Sequence, residues 1–418
     1  MVHASHILTR SLELAAVAAA NGFANASTST NITARATIDW SIPTAWDKPS
    51  SIPTSFSKLE GTAQGAFNAM KTQFWKDPNN IGIGWDWGTS LSSFAYKDMV
   101  SSTRSNYDYL KKALAAAKKH NSHFDPYSYN DDAQWWGTTA MYAHRAYGDK
   151  IFLDYAVDVW KWVAQAQITQ AQADAGKSPL RVSSFNSTCN GKTVAGGVFW
   201  RSKSSDGKDM STNVVTTALF QTLSAYLAEK TGEEKYIKAG KNAYNFMINH
   251  LMFESPNIPQ DSLNVATCKK NGWVFTYNAG KFIEGSIILS GITKDKKMRD
   301  QALRTIVAAI KSTKNWQNAK GHITEAQGGD PTKSNTGRQF KSVFVRSLTE
   351  AYRRLYNNKD ARNLIRRYIN IQYHDITTLN RDGNLYGSNW RGPFKKGQWG
   401  QANVLDALTA GVEVNWSR

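Results

Sequence analysis

From about residue 56 onward, apolar residues recur at i, i+3, i+4 and i+7, which predicts amphipathic helices, and the helices come in pairs. Four stretches share one plan, two helical runs hinged on a short joint: "MYAHRAYGDKIFLDYAVDVWKWV" around Gly148-Asp149, "LSAYLAEKTGEEKYIKAGKNAYNFM" around Gly232-Glu233, "SIILSGITKDKKMRDQALRTIVAAI" around Lys294-Asp295, and "LTEAYRRLYNNKDARNLIRRYINIQ" around Asn358-Lys359-Asp360. Gly or Asn at such a joint ends the first helix in the left-handed conformation, and an acid then complements the start of the second. Two weaker pairs complete the pattern: 57–74 with 89–102, and 104–119 with the last helical run, 400–412. The total is about twelve helices.

Between the pairs lie long Gly/Trp-rich connections at 120–131, 168–211, 252–277, 313–338 and 374–399. They alternate with the short joints, so long loops gather at one end of the array and short joints at the other. Stacked hairpins form an open solenoid or a closed toroid, and the long connections favour closure. Functional residues concentrate on such loops.

Composition narrows the class. With 41% hydrophobic and 20% charged residues the chain is a folded protein, and no apolar run reaches the length of a membrane span. The 15 Trp suit either a large aromatic core or a sugar cleft. The net charge of +18 suits polyanions, phosphorylated glycan among them. The basic residues are scattered and no nucleic-acid-binding signature is present, so nucleic acid is not an expected partner.

Residues 1–26 have the pattern of a secretory signal: His3, His6 and Arg10, an apolar run from Leu14 to Ala20, and Ala24-Asn25-Ala26 as a small-x-small site, with Glu13 off-pattern. Residues 27–55 read as a linker or leader, and 56–418 as one catalytic domain. Asn25, Asn31, Asn186 and Asn415 sit in glycosylation acceptor patterns. Cys189 and Cys268 lack metal-site spacing, and secretion would allow one disulfide between them. The expected location is extracellular, secreted or wall-associated, with no glycolipid-anchor tail, and a monomer is the expected state.

The stretch "YNDDAQWWG" carries the candidate chemistry. Asp131 and Asp132 fall at the end of a long loop, before a helix expected to start near Gln134. One Asp there is explained as a helix cap. Two acids followed by Trp135 and Trp136 exceed what a cap needs, and paired carboxylates are the usual equipment of glycoside hydrolysis. The helix end favours ionisation of one acid, while repulsion and indoles keep the other protonated. Other loops repeat aromatics, then a small polar group, then a helix: Gly196-Gly197-Val198-Phe199-Trp200 before Asn213, Trp273 to Gly280, Ser388 to Pro393, and Trp85-Asp86-Trp87.

The ordered set "YNDDAQWWG", "GGVFW", "FTYNAGKFIEG", "FVRSL", "SNWRGP" and "QWGQANVLDALTA" resembles glycoside hydrolase family 76, from about residue 56 to 413. The resemblance implies an all-α (α/α)6 toroid and a retaining endo-α-1,6-mannosidase without metal or cofactor. Asp131 matches the family's nucleophile and Asp132 its acid/base. Tyr129, Trp135, Trp136, Trp200, Asn213, Tyr277, Asn278, Trp390 and Arg391 are the expected substrate contacts, with α-1,6-linked mannan as partner. Ala279 departs from the family's Tyr-Asn-Gln-Gly and removes one amide. Phe199 departs from its Gly-Gly-Ile-Trp-Trp. The alternatives are a cell-wall transglycosylase acting on mannan or anchor glycans, a non-catalytic mannan-binding protein on the same scaffold, and an inverting hydrolase using Asp86 or Glu325.

Overall fold

The computed structural model describes residues 37–50, 52–202, 207–325 and 336–416. The signal-peptide expectation over 1–26 lies outside them. Twelve helices of eleven residues or more organise the described chain: α1 (Phe56–Ala69), α2 (Trp85–Ser101), α3 (Tyr107–His120), α4 (Asn130–Tyr147), α5 (Lys150–Ala164), α6 (Val214–Thr231), α7 (Glu234–Phe246), α8 (Thr276–Thr293), α9 (Lys296–Ile310), α10 (Phe340–Arg354), α11 (Lys359–Leu379) and α12 (Leu405–Asn415). The even-numbered helices form an inner ring, each packing on the next, and α12 closes it against α2. The odd-numbered helices form the outer ring. This is the (α/α)6 toroid that the hairpin pattern and the resemblance implied.

Sequence dictates which ring a helix joins. Outer α3 buries Leu110, Ala113, Leu114 and Ala117, one stripe at helical spacing. Inner α6 is buried without a break from Val214 to Ala228, because it has neighbours on every side. Charges on inner helices are paired within a helix or with the next one. Lys281 lies 2.7 Å from Glu284, whose carboxylate also accepts from the Tyr226 and Ser347 hydroxyls at 2.8 Å, and Arg346 lies 2.9 Å from Asp406. Without such partners these groups would be too costly to desolvate.

Four helical hairpins fall where the sequence placed them, with two local differences. Gly148 and Gly232 end their helices with φ of 84° and 71°. At the third joint Lys294 takes the left-handed turn instead, and Asp295 caps α9 by accepting from Lys297 N and Met298 N. At the fourth, Leu355 is not left-handed, and Asn358 caps α11 through Ala361 N. The two weaker pairings are corrected. Helix α1 packs on α12, and α3 pairs with α2. The first helix fills the outer slot beside the last inner one, which closes the ring. An amphipathic stripe identifies a buried face but not the neighbour that covers it.

The short joints follow the inner helices and the long loops precede them, so the inner N-termini share one end. There Trp200 lies in a ladder of short strands. Tyr129 bridges to Arg201, Phe199 bridges to Thr212, and Ser211–Asn213, Ser262–Asn264 and Lys269–Asn271 form an antiparallel sheet. A Cys189–Cys268 disulfide joins this sheet to the Thr188–Thr193 hairpin. Part of the expected linker also belongs to the body: Trp46 is buried against Tyr368, and Asp47 Oδ2 lies 2.8 Å from His322 Nε2.

Candidate active site

Helix α4 begins at Asn130, four residues earlier than expected, so both acids sit in its first turn. Two contacts fix that start: the Asn130 backbone N–H donates to Trp200 O and its side-chain amide to Phe199 O, each at 2.8 Å. Upstream, buried Asp125 accepts from Tyr127 N at 3.1 Å and Tyr129 N at 2.6 Å, shaping the turn into the helix. The free N–H groups and positive dipole end of α4 therefore lie under two carboxylates.

The two acids differ in surroundings. Trp200 Nε1 donates to Asp131 Oδ2 at 3.1 Å, while Asp131 Oδ1 is buried with no hydrogen-bond partner among the described residues. Burial pushes the Asp131 pKa up to about 7, against the pull of Trp200 and the helix N–H groups. Burial raises Asp132 well above the ordinary carboxylate range, and Asp131, Asp125 and Asp86 add repulsion. Asp131 has the donors that favour its anion and Asp132 has acids around it. The first charge on the pair therefore settles on Asp131.

The other expected contacts divide. Tyr129 lies against Trp200 with ring centroids 4.9 Å apart, and the Arg201 guanidinium sits 4.8 Å from the Tyr129 ring. Tyr277 is half-buried, stacked on Phe340 at 3.8 Å, and Asp131 and Asp132 both act on it electrostatically. Asn213 caps α6 through Thr216 N. Asn278 is buried and donates to Asp261 Oδ1 at 3.4 Å. Trp135 faces the ring axis in a small apolar cluster with Val215, Leu219 and Val343. Three expected contacts lie elsewhere. Trp136 is fully buried against Phe124 and Gly88. Trp390 is buried, with its indole N–H on Asn403 Oδ1 at 2.8 Å. Arg391 turns its guanidinium toward Asp375 at 3.7 Å. Successive side chains point about 100° apart on a helix, and Trp135 and Trp136 pack into different clusters.

Asp125, Asp261 and Phe340 were not among the expected site residues. Asp125 holds Tyr127 N and Tyr129 N within its own loop, while Asp261 and Phe340 meet Asn278 and Tyr277 from segments distant in sequence. Glu325, considered for an inverting reaction, is engaged as a remote cap: it accepts from Thr276 N at 3.0 Å and from the Thr276 hydroxyl, tying the 311–325 loop to the start of α8. Burial raises its pKa to about 7. Asp86 is buried at the start of α2 and accepts from Trp87 N at 3.0 Å.

A closed double ring of helices, with acids and half-buried aromatics gathered at the inner helix starts, defines an (α/α)6-toroid protein with an acid pair at one end. The chain belongs to glycosyl hydrolase family 76, whose profile matches residues 181–415, more than half of the chain. Asp131 and Asp132 lie outside that matched segment. The mannan endo-1,6-alpha-mannosidase DCW1 of Saccharomyces cerevisiae is 25% identical over 67% of this chain, and that of Candida albicans 24% identical over 52%. These alignments span 59% and 46% of the two relatives. Among solved structures, an inactive variant of the alpha-1,6-mannanase GH76A of Salegentibacter sp. HEL1_6, with two aspartates replaced by asparagine and alpha-1,6-mannotriose bound, superposes with a TM-score of 0.69 at 16% identity, over 85% of this chain and 99% of the other. Dfg5 from Chaetomium thermophilum, in complex with glucosamine, gives 0.70 at 18% identity, over 89% and 93%.

Proposed function

We propose that this protein is a retaining endo-α-1,6-mannosidase in which Asp131 is the nucleophile and Asp132 the general acid/base. The observation that carries the reading is the asymmetric acid pair: a Trp200 N–H on Asp131, and a ring of acids around Asp132. Both carboxyls sit in the first turn of α4, at the end of the toroid where the inner helices start, which supports their acting on one sugar. Asp132 gives its proton to the glycosidic oxygen as Asp131 forms an ester bond to the anomeric carbon and the leaving chain departs with the bond's electron pair. Asp132, now a carboxylate, then takes a proton from water, whose oxygen attacks the same carbon and frees Asp131.

The mannanase variant inactivated at two aspartates, and the names of the two curated relatives, support α-1,6-linked mannan as substrate. The disulfide supports folding on the secretory route, toward the wall or medium. An acceptor sugar in place of water turns the same intermediate into a transfer product, so products are read with and without added acceptor. The test is hydrolysis of α-1,6-mannan by Asp131→Asn and Asp132→Asn. Loss of activity in both is expected, and near-parent activity in either overturns the assignment.

A further inference from the structure

The end of the toroid opposite the acid pair carries a hollow of its own. A cavity of about 390 Å³ lies among the last turn of α2, the last turn of α10 with the joint after it, the first turn of α11 and the end of α12. Arg353, Tyr356, Arg362, Glu413 and Trp416 line it. Inner helices finish at this end, so the cavity stands away from Asp131 and Asp132 by the length of an inner helix, about 25 Å for the 17 residues of α2.

Its charges do not balance: two guanidinium groups line it, and one carboxylate. Arg353 Nη1 lies 3.3 Å from Glu413 Oε2, with both side chains partly in solvent. The Arg362 side chain has no carboxylate and no hydrogen bond among the described residues. Its guanidinium lies over the Tyr352 ring, 4.2 Å from the centroid, and its Nε is buried. It stands fourth in α11, in the first turn, where the helix dipole disfavours a cation. Packing on Tyr352 explains where the group is held, but not why it is left without a counter-charge. An anion from outside supplies one, and the guanidinium fork matches phosphoryl oxygens.

Beside these cations is an aromatic face. Tyr356 is 68% exposed, the most exposed ring among the described residues. Trp416 is held against Phe56, with ring centroids 4.2 Å apart. A packing core gains nothing from a tyrosine left in water, whereas a sugar ring laid on it covers apolar area on both partners.

We infer that this cavity binds a phosphorylated sugar unit of a glycan, with Arg353 and Arg362 on the phosphoryl oxygens and Tyr356 against the sugar ring. The volume is at the small end of ligand pockets, which suits one unit rather than a stretch of chain. The net charge of +18 draws such a polyanion from a distance, and the cavity seats it. Neither acid takes part, so the site stands whether or not the mannosidase reading does. Docked here, the protein stays on a phosphorylated polymer while its acid-bearing end remains free.

Binding is measured with the Asp131→Asn/Asp132→Asn protein, which removes turnover, on immobilised phosphate-bearing mannan and on the same mannan stripped of phosphate, with mannose 6-phosphate titrated alongside. The phosphate-bearing form is expected to bind about tenfold more tightly, and mannose 6-phosphate to compete for it. Adding Arg362→Gln is expected to lower that preference about five- to tenfold, and adding Tyr356→Ala about threefold. Lys296→Gln/Lys297→Gln, which removes two exposed charges from another short joint, is expected to change it by less than about twofold. A preference that neither Arg362→Gln nor Tyr356→Ala moves, or that the lysine variant lowers as much, overturns the site. Where Arg362→Gln fails to fold, Tyr356→Ala, whose ring is mostly in solvent, decides alone. Binding of mannose 6-phosphate without any preference for the phosphate-bearing polymer would assign the cavity to a free sugar phosphate and overturn the docking role.

Discussion

Trp200 donates its indole N–H to Asp131 across 3.1 Å, and Asp132 beside it has acids for company. That hydrogen bond favours ionisation of Asp131 over Asp132, whose carboxyl is raised by burial and by Asp131, Asp125 and Asp86. Replacing Trp200 with Phe keeps the ring and removes the donor. Hydrogen bonds to charged groups contribute about 1.5–3 kcal/mol, so kcat/KM should fall roughly ten- to a hundredfold. The Asp131 pKa then rises, and the acid limb of the pH–rate profile should move to higher pH. An unmoved limb would separate Trp200 from the ionisation of Asp131.

The acid pair should cost stability as well. Burial raises both pKa values, so ionisation is harder in the folded chain than in the unfolded one. Folding is then weakened as pH climbs past the ordinary aspartate range, and the weakening is fully developed only above the raised values. Asp132→Asn removes an acid that resists ionisation. After allowance for solvent at the half-buried site, it should raise Tm by about 2–4 °C at pH 8. At pH 3, where both forms are neutral, the gain should vanish. Thermal unfolding at the two pH values checks this, and equal Tm at pH 8 counts against it.

His322 ties the chain entering the toroid to its rim. Its Nδ1 lies 2.5 Å from Asp375 Oδ2 and its Nε2 2.8 Å from Asp47 Oδ2. His374 and Arg391 also face Asp375, at 3.8 and 3.7 Å. Burial pulls the His322 pKa down, but hydrogen bonds and charge from Asp375 and Asp47 outweigh it and the net shift is upward. The imidazolium therefore stabilises the fold fully below the ordinary histidine pKa, and that contribution disappears as pH rises through the raised value. His322→Gln should lower Tm at pH 5.5 and have a smaller effect at pH 8.5. A loss that is the same at both pH values would mean packing, not charge, is what the histidine supplies.

Legibility in the sequence followed the range of the interactions. The joints at Gly148 and Gly232 were readable because a left-handed turn depends on one residue. The partner of α1 was not, because the same amphipathic stripe fits α2 or α12, and only ring closure decides. In "DDAQWW" both acids fall in the first turn of α4, which starts four residues earlier than expected, and the two indoles diverge as successive side chains on a helix do. Trp136 and Trp390 pack in the main core, Trp390 with its indole N–H on Asn403. Asp261 and Phe340 escaped notice because they meet Asn278 and Tyr277 from segments distant in sequence, and Asp125 because an acid in a loop turn is common. The pairing of Cys189 with Cys268 was open for the same reason.

That disulfide closes a loop with a sequence separation of 79 and anchors the strand ladder leading to Trp200. Chain-entropy arguments put its contribution at about 4.5 kcal/mol, and measured cases fall nearer 2–4. The Cys189→Ser/Cys268→Ser protein should unfold at lower temperature. Because the ladder positions Trp200, its kcat/KM should also fall at temperatures where the fold persists. Unaltered activity there would detach the ladder from the site.

The central claim is that neighbouring acids act by double displacement, with Asp131 joined covalently to the sugar between two inversions. Proton NMR of the first-formed reducing end released from α-1,6-mannan, recorded before mutarotation, reads this directly. The account predicts that the α anomer appears first and the β anomer grows in only with mutarotation. The β anomer appearing first would mean a single inverting step, and the roles assigned to Asp131 and Asp132 would be wrong.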